Sequence, residues 1–304
     1  MLRSMYTGIS GMKGFQTKLD VVSNNIANVN TFGFKKGRIT FQDIMSQTVQ
    51  GAQGPQVNGG VTVSGGRNPI QVGLGVKTGS IDTIDTQGNQ QTTNRTLDLA
   101  LEGDGMFVVA ERTSATDNTD AINLSGDSVQ FTRAGNFYLD NDGYIVNANG
   151  QYLVGKASND TNDVLVDDTA ARIQIDQNAQ SFSISADGTV NYVDENGQAK
   201  IAGQIMLAKF SNTGGLQKSG SNNFQLTNNA GVFTDDGTFD SIYDLTAPGE
   251  NGSASIVAGA LEMSNVDLSE EFTEMITAQR GFQANTRIIT TSDEILQELV
   301  NLKR

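Results

Sequence analysis

The side chains of this 304-residue chain that could do chemistry are carboxylates and amides, because histidine and cysteine are both absent. Without histidine the commonest general base and metal ligand is missing. Without cysteine there is no thiol nucleophile, disulfide or thiolate-bound zinc. Thirty-four Asp and Glu remain. A glycosidase pair is set by the fold rather than by sequence spacing, so the sequence alone does not locate one. A secreted β-rich glycan-binding protein or enzyme is therefore the rival from a different class, and it needs a concave site. The short motifs lend that rival no catalytic group. DNDG at 140–143 lacks the remaining ligands of a calcium loop and reads as a hairpin turn. GLG at 73–75 lacks the third glycine and the helix of a dinucleotide loop, and in GGLQKSG (214–220) Gln217 stands where a phosphate loop needs glycine. These patterns identify no catalytic residue, no cofactor and no metal ligand.

The amides are concentrated. NNIANVNTFGFKK, residues 24–36, places Asn24, Asn25 and Asn28 at the end of an apolar helical pattern. Asparagine competes for backbone hydrogen bonds and tolerates the left-handed conformation, so the string can stop a helix and turn the chain. Gly33 adds a second permissive position, Phe32 and Phe34 anchor the exit, and Lys35, Lys36 and Arg38 are expected to stay solvated.

The elements around this string are helix, β body, helix. Leu2, Met5, Ile9, Met12, Phe15, Leu19, Val22 and Ile26 recur at spacings of three and four, which predicts an amphipathic N-terminal helix. Leu268, Met275, Phe282, Ile289 and Leu296 recur every seven residues, which predicts a C-terminal helix over 267–302 capped by Asn265 or Asp267. Stripes this long need partners. Copies of the same chain, or one face of the sheet, would both serve. Between the ends, 97–109 reads as strand–turn–strand. Residues 131–155 and 182–198 read as meanders whose Asp-Gly and Asn-Gly turns need φ > 0 at both central positions, and 202–210 reads as a buried strand. The expected divisions are a discontinuous helical domain over 1–45 and 257–304, a Gln/Gly-rich loop over 46–72 and a β-rich body over 73–256. Whether 156–200 is a small subdomain stays open.

The net charge is −14, but residues 1–45 carry six basic and two acidic groups, against 10 and 25 in 46–264. An acidic body argues against nucleic acid, and the basic N-terminus can pair with the acidic C-terminus. No apolar run reaches the ~18–20 residues of a membrane span, and polar residues interrupt the N-terminus where a cleavable signal would be apolar.

LDVVSNNIANVNTFGFKK (19–36) resembles the N-terminal signature of the bacterial flagellar rod and hook proteins. Asn24, Asn25, Ile26, Ala27, Asn28, Thr31, Gly33, Phe34 and Lys35 match it position by position. Residues 261–302 resemble the family's C-terminal segment through Ser264–Asp267, Ala278–Arg280 and Thr291–Gln297, and 96–109 and 131–146 resemble its core strands. The resemblance implies a mainly β body, barrel- or sandwich-like, with terminal helices paired as a coiled coil. It implies a helical homopolymer exported by the flagellar type III apparatus, with rod, hook-cap and hook–filament junction proteins as neighbours. The polymer seam expected from it uses Leu2, Met5, Ile9, Met12, Leu19 and Ile26 with the C-terminal heptad. FQDIM, from Phe41 to Met45, resembles the loose export-gate motif of such subunits, and a local core contact explains it equally well. The terminal segments look most like short hook proteins of Gram-positive bacteria. The expected function is therefore a hook subunit, outside the cell, in the curved joint that transmits motor torque. The alternative is a distal rod subunit, since 46–72 falls where rod proteins carry a stiffening insertion.

Overall fold

A computed structural model of the protein describes residues 2–58, 61–112, 121–158, 165–233 and 239–302. It divides into two compact units. One comprises 1–27, 37–83 and 267–304, and the other 28–36 and 84–266.

The first unit is built on helix α1 (Leu2–Ala27) and helix α2 (Leu268–Asn301). They run antiparallel and touch along their length. Ile289 lies against Gly8, Asn285 against Gly11, and Gly281 against the ring of Phe15. A Cβ on Gly281 would sit 2.6 Å from that ring, so the glycine sets how closely the helices approach. Asp267 caps α2, its carboxylate accepting from the backbone N–H of Ser269 and Glu270. The β-branched run at 288–291 stays helical, with the hydroxyls of Thr290 and Thr291 donating to the carbonyl of Arg287.

Residues 46–72, expected as a loop, instead contribute to an antiparallel ribbon. Strands β1 (Gly37–Asp43), β2 (Ser46–Gln50) and β3 (Gln56–Asn58) pair back onto β6 (Val76–Thr83), β5 (Ile70–Gly73) and β4 (Val61–Ser64), respectively. Its Val, Ile and Thr favour an extended backbone, a preference that the glycine-rich composition conceals. The base of the ribbon packs on α1. Phe41 lies over Gly14 and 6.1 Å from the Phe15 ring, and the backbone N–H of Val76 donates to Ser10 Oγ.

The second unit holds β7 (Gln90–Thr92), β8 (Leu99–Glu102), β9 (Met106–Glu111), β10 (Ser128–Thr132), β11 (Tyr138–Leu139), β12 (Ile145–Val146), β13 (Tyr152–Ser158) and β14 (Leu165–Arg172). It continues with β15 (Ser181–Ile184), β16 (Thr189–Val193), β17 (Ala199–Ile205), β18 (Leu207–Ala208), β19 (Gln217–Gly220), β20 (Asn223–Gln225), β21 (Ser255–Ala258) and β22 (Ala260–Glu262). The main path of a 12-stranded sheet is β15-β16-β17-β13-β9-β10-β20-β19, an open order rather than a closed barrel. Strands β13 to β17 belong to this sheet, so the described part of 156–200 continues the body. Strand β9 is buried on both faces. Phe107 and Val109 enter one apolar cluster with Leu99, Phe137 and Leu153, while Met106, Val108 and Ala110 enter another with Phe131, Val154 and Phe210. That is the period of two of a strand buried on both sides, and it explains the unbroken MFVVA run.

Strands β8 and β9 flank Gly103–Gly105 as predicted, with β8 paired to β21. One local expectation changes. The four turns at Gly143, Gly150, Gly188 and Gly197 carry positive φ at the glycine and not at the preceding Asp or Asn. Each glycine N–H donates to the carbonyl three residues back, so these are type I turns closed by a left-handed glycine, which needs one permissive residue instead of two.

Candidate functional site

The residues of the asparagine string fall in both units. In the first unit, Asn25 is 2% exposed near the end of α1. Its Oδ1 accepts from the N–H of Gly37 at 2.9 Å, and its Nδ2 donates to the carbonyl of Gly37 at 2.9 Å and to Glu271 Oε2 at 3.2 Å. One amide thus fastens α1 to the first residue of β1 and to the first turn of α2. Leucine has the size but neither function. Asn24 and Ala27 are exposed on the last turn.

In the second unit, residues 28–36 form a fixed turn. The Asn28 carbonyl and Oδ1 accept from the N–H and hydroxyl of Thr31, both at 3.1 Å, and the N–H of Phe34 donates to the Thr31 carbonyl. Gly33 has φ +69°, and a Cβ there would fall 2.6 Å from the Arg133 backbone, so both its conformation and its surroundings require glycine. Phe34 is buried, with Lys218 Nζ 5.2 Å from its ring centroid. Asn265, considered as a helix cap, instead accepts from the N–H of Lys36 and donates to the carbonyl of Ile84.

Lys35 was expected to stay solvated, yet its side chain is 1% exposed. Its ammonium donates to Glu262 Oε1 at 2.6 Å and to the carbonyl of Thr86 at 2.9 Å. Arg133 donates to Glu262 Oε2 at 3.1 Å and to the carbonyl of Gly103 at 2.7 Å, and the N–H of Gly88 completes the carboxylate. Burial lowers the Lys35 pKa most. Glu262 opposes that shift, and Arg133 adds to it. Sequence reading missed Glu262 and Arg133. The available signal was an acid inside the apolar AGALEM segment and a base inside FTRAG. A charge on a buried strand needs a partner, and Lys35 is the one the fold supplies.

Of the expected seam, Met5, Ile9, Met12, Leu19 and Ile26 on α1 and Met275, Phe282, Ile289 and Leu296 on α2 are half-buried, and Leu268 is exposed. The Leu2 side chain lies outside the described residues. Ile289 against Gly8 and Met12 against Thr286 are contacts between the helices. A second apolar row on α2, Phe272, Ile276, Ile288, Ile295 and Leu299, is exposed at 44–53%. Met45 is 82% exposed while Phe41 is partly covered by α1, so the two ends of FQDIM have different surroundings. Among the described residues no group of three or more acidic side chains is placed to hold a metal ion.

The clamps and ion pairs fix the turn and the strands around it, and comparison with known proteins gives the class. Residues 5–35 match the family profile of flagella basal body rod protein, residues 100–192 that of the flagellar hook protein FlgE/F/G D1 domain, and residues 257–302 that of the flagellar basal body rod FlgEFG protein C-terminal. The chain belongs to the flagellar rod and hook protein family. It is 49% identical over 304 residues, the whole of both chains, to the flagellar basal-body rod protein FlgG of Bacillus subtilis (strain 168). It is 37% identical, over 99% of this chain and all of the other, to FlgG of Caulobacter vibrioides. Its likeness to the flagellar hook protein FlgE of Borreliella burgdorferi is 29% over 470 aligned positions, covering both chains fully. These relatives are structural proteins of the flagellum and not enzymes. The family assembles as a polymer with other flagellar components.

Proposed function

We propose that the chain is a subunit of the flagellar rod, a shaft segment built from copies of this protein. The observation that carries this reading is the 49% identity to a rod protein of matching length, end to end, whereas the hook likeness is lower and spreads over 470 positions. The fold supports it. The ribbon at 37–83 is strand-paired and braced on α1, a stiffer device than the loop expected there, and a drive shaft needs stiffness. Neighbouring copies cover the exposed apolar row of α2, since a helix with an unmet apolar face gains most from association. The half-buried heptad and α1 form the seam within each subunit. Export through the flagellar type III apparatus as an unfolded chain leaves FQDIM readable before Phe41 docks on Phe15.

A hook subunit is the second reading, favoured by full-length likeness to two hook proteins at 27–29% identity. It would add hook-cap and hook–filament junction proteins as neighbours. Immunogold electron microscopy of intact and detergent-extracted flagella, with antibody to residues 130–200, separates the two. Label confined to the straight shaft within the envelope is the expected result. Label along the curved segment outside it overturns the rod in favour of the hook.

A further inference from the structure

The second unit carries a cleft of about 400 Å³ whose lining includes no charged side chain, on a protein with 34 acidic groups. Seven of its 13 lining residues are asparagine. It is formed by four turns: the one after α1, the link between β10 and β11, the turn between β12 and β13, and the turn between β19 and β20. The last of these holds Ser221 and Asn222 at φ 51° and 60°, a left-handed backbone that asparagine tolerates and serine adopts at a cost. It is fixed there by Asn222 Nδ2 donating to the Phe32 carbonyl and by Thr132 Oγ1 donating to the Asn222 carbonyl. The walls are therefore preformed. The side-chain amides of Asn30, Asn136 and Asn149 make no hydrogen bond to any described residue, and Phe32 lies half-buried beside them.

Chemistry narrows the ligand. A cleft without a cation does not select a phosphate or carboxylate, and one without a carboxylate does not select a metal or an amine. Primary amides each offer two donors and one acceptor, the complement of hydroxyl and acetamido groups. An aromatic face beside them suits the apolar face of a sugar ring or a methyl group. An extended peptide would want an unpaired strand edge, and here the lining is turns, with β10 and β20 already paired to each other. The volume falls in the range of small-ligand pockets, ~300–1,000 Å³.

We propose that this cleft binds a neutral N-acetylated saccharide, its acetamido and hydroxyl groups taken by Asn30, Asn136 and Asn149 and its apolar face by Phe32. The test uses the full chain and N,N′,N″-triacetylchitotriose, read by saturation-transfer NMR and by titration. Saturation of the acetyl methyls is expected, with affinity on the order of millimolar. The triple variant Asn30→Ala/Asn136→Ala/Asn149→Ala is expected to lose at least tenfold in affinity while keeping the parent's melting midpoint. If the triple variant does not fold, Asn149→Ala alone, on an exposed turn, is expected to weaken binding about threefold. No saturation at millimolar sugar overturns the proposal, as does unchanged affinity in the folded variant. Binding of the net-neutral peptide Gly-Gln-Val-Gly in place of the sugar, lost in the same variants, overturns it in favour of a polypeptide cleft.

Discussion

The two units are stabilised in different ways. In the β unit, Phe107, Val108, Val109, Leu153 and Ile205 are fully buried and two apolar clusters share β9 between them. In the helical unit, Val22 and Ala278 are the only buried apolar residues among those described, while Phe272, Ile276, Ile288, Ile295 and Leu299 are 44–53% exposed. The β unit therefore has the core of an independent fold. The helical unit is held by a polar clamp, a close glycine-mediated approach and a ribbon, and it keeps apolar surface in reserve. A subunit that assembles into a polymer makes use of both kinds of construction. A finished core survives alone, and an unfinished one leaves free energy for assembly.

The sharpest way to break this contrast is at β9. Phe107, packed edge-on against Phe137 at 5.2 Å, is fully buried, so Phe107→Ala should cost about 3–5 kcal/mol in denaturant unfolding of the β unit. A loss below about 1 kcal/mol would mean that this core is not what holds the unit.

Next comes the buried ion triad. Glu262→Gln leaves Lys35 and Arg133 facing each other without their shared anion, and a cost of about 3–5 kcal/mol is expected. The pH dependence has a definite sign. The folded-state pKa of Lys35 lies below its ordinary value of 10.5, so between the two the unfolded chain binds more protons. Stability from this group is thus present above 10.5 and lost as pH falls through the folded-state value. Melting of the parent and of Lys35→Met across alkaline pH should differ in slope over that window. Parallel curves would show that the ammonium is not desolvated as its 1% exposure indicates.

A smaller effect is expected in the helical unit. Asn25→Leu strands the Gly37 backbone and removes a donor from Glu271, costing about 1–3 kcal/mol. It should appear as faster hydrogen exchange in α1 and β1, with unfolding of the β core unchanged. Slowed exchange would count against the clamp.

The smallest stability effect belongs to the exposed row. Phe272→Asp should change monomer stability by no more than about 0.5 kcal/mol, because the ring is 49% exposed, yet abolish polymer formation in sedimentation assays. Normal polymers from this variant would remove the reserve role from that face.

Periodicity made both helices legible, since α1 and α2 fall within a residue or two of the predicted stretches. Dipeptides located the turns but not their type, because Asp-Gly and Asn-Gly serve two turn geometries and the choice depends on how the flanking strands pair. The asparagine string was legible as a chain redirection. That Asn25 acts inward on Gly37 and Glu271 was not, because its partners lie 12 and 246 residues away. Lys35 was misplaced for the same reason. A lysine beside a second lysine looks solvated until Glu262 is brought to it from 227 residues away. Residues 46–72 were misread because strands exposed on both faces, as β2 and β5 are, lack the apolar alternation that marks a half-buried strand.

By itself, the sequence determined the element types, the order helix–β body–helix, the lack of histidine and thiol chemistry, and the signature that places the chain in its family. These depend on local periodicity, composition and contiguous motifs. Only the tertiary structure decided which charges are buried, which glycines bring the helices close, which apolar row is left uncovered and where the asparagines converge to line a cleft. Each of those is a meeting of residues distant in sequence, and burial and pairing come into being only when the chain closes on itself.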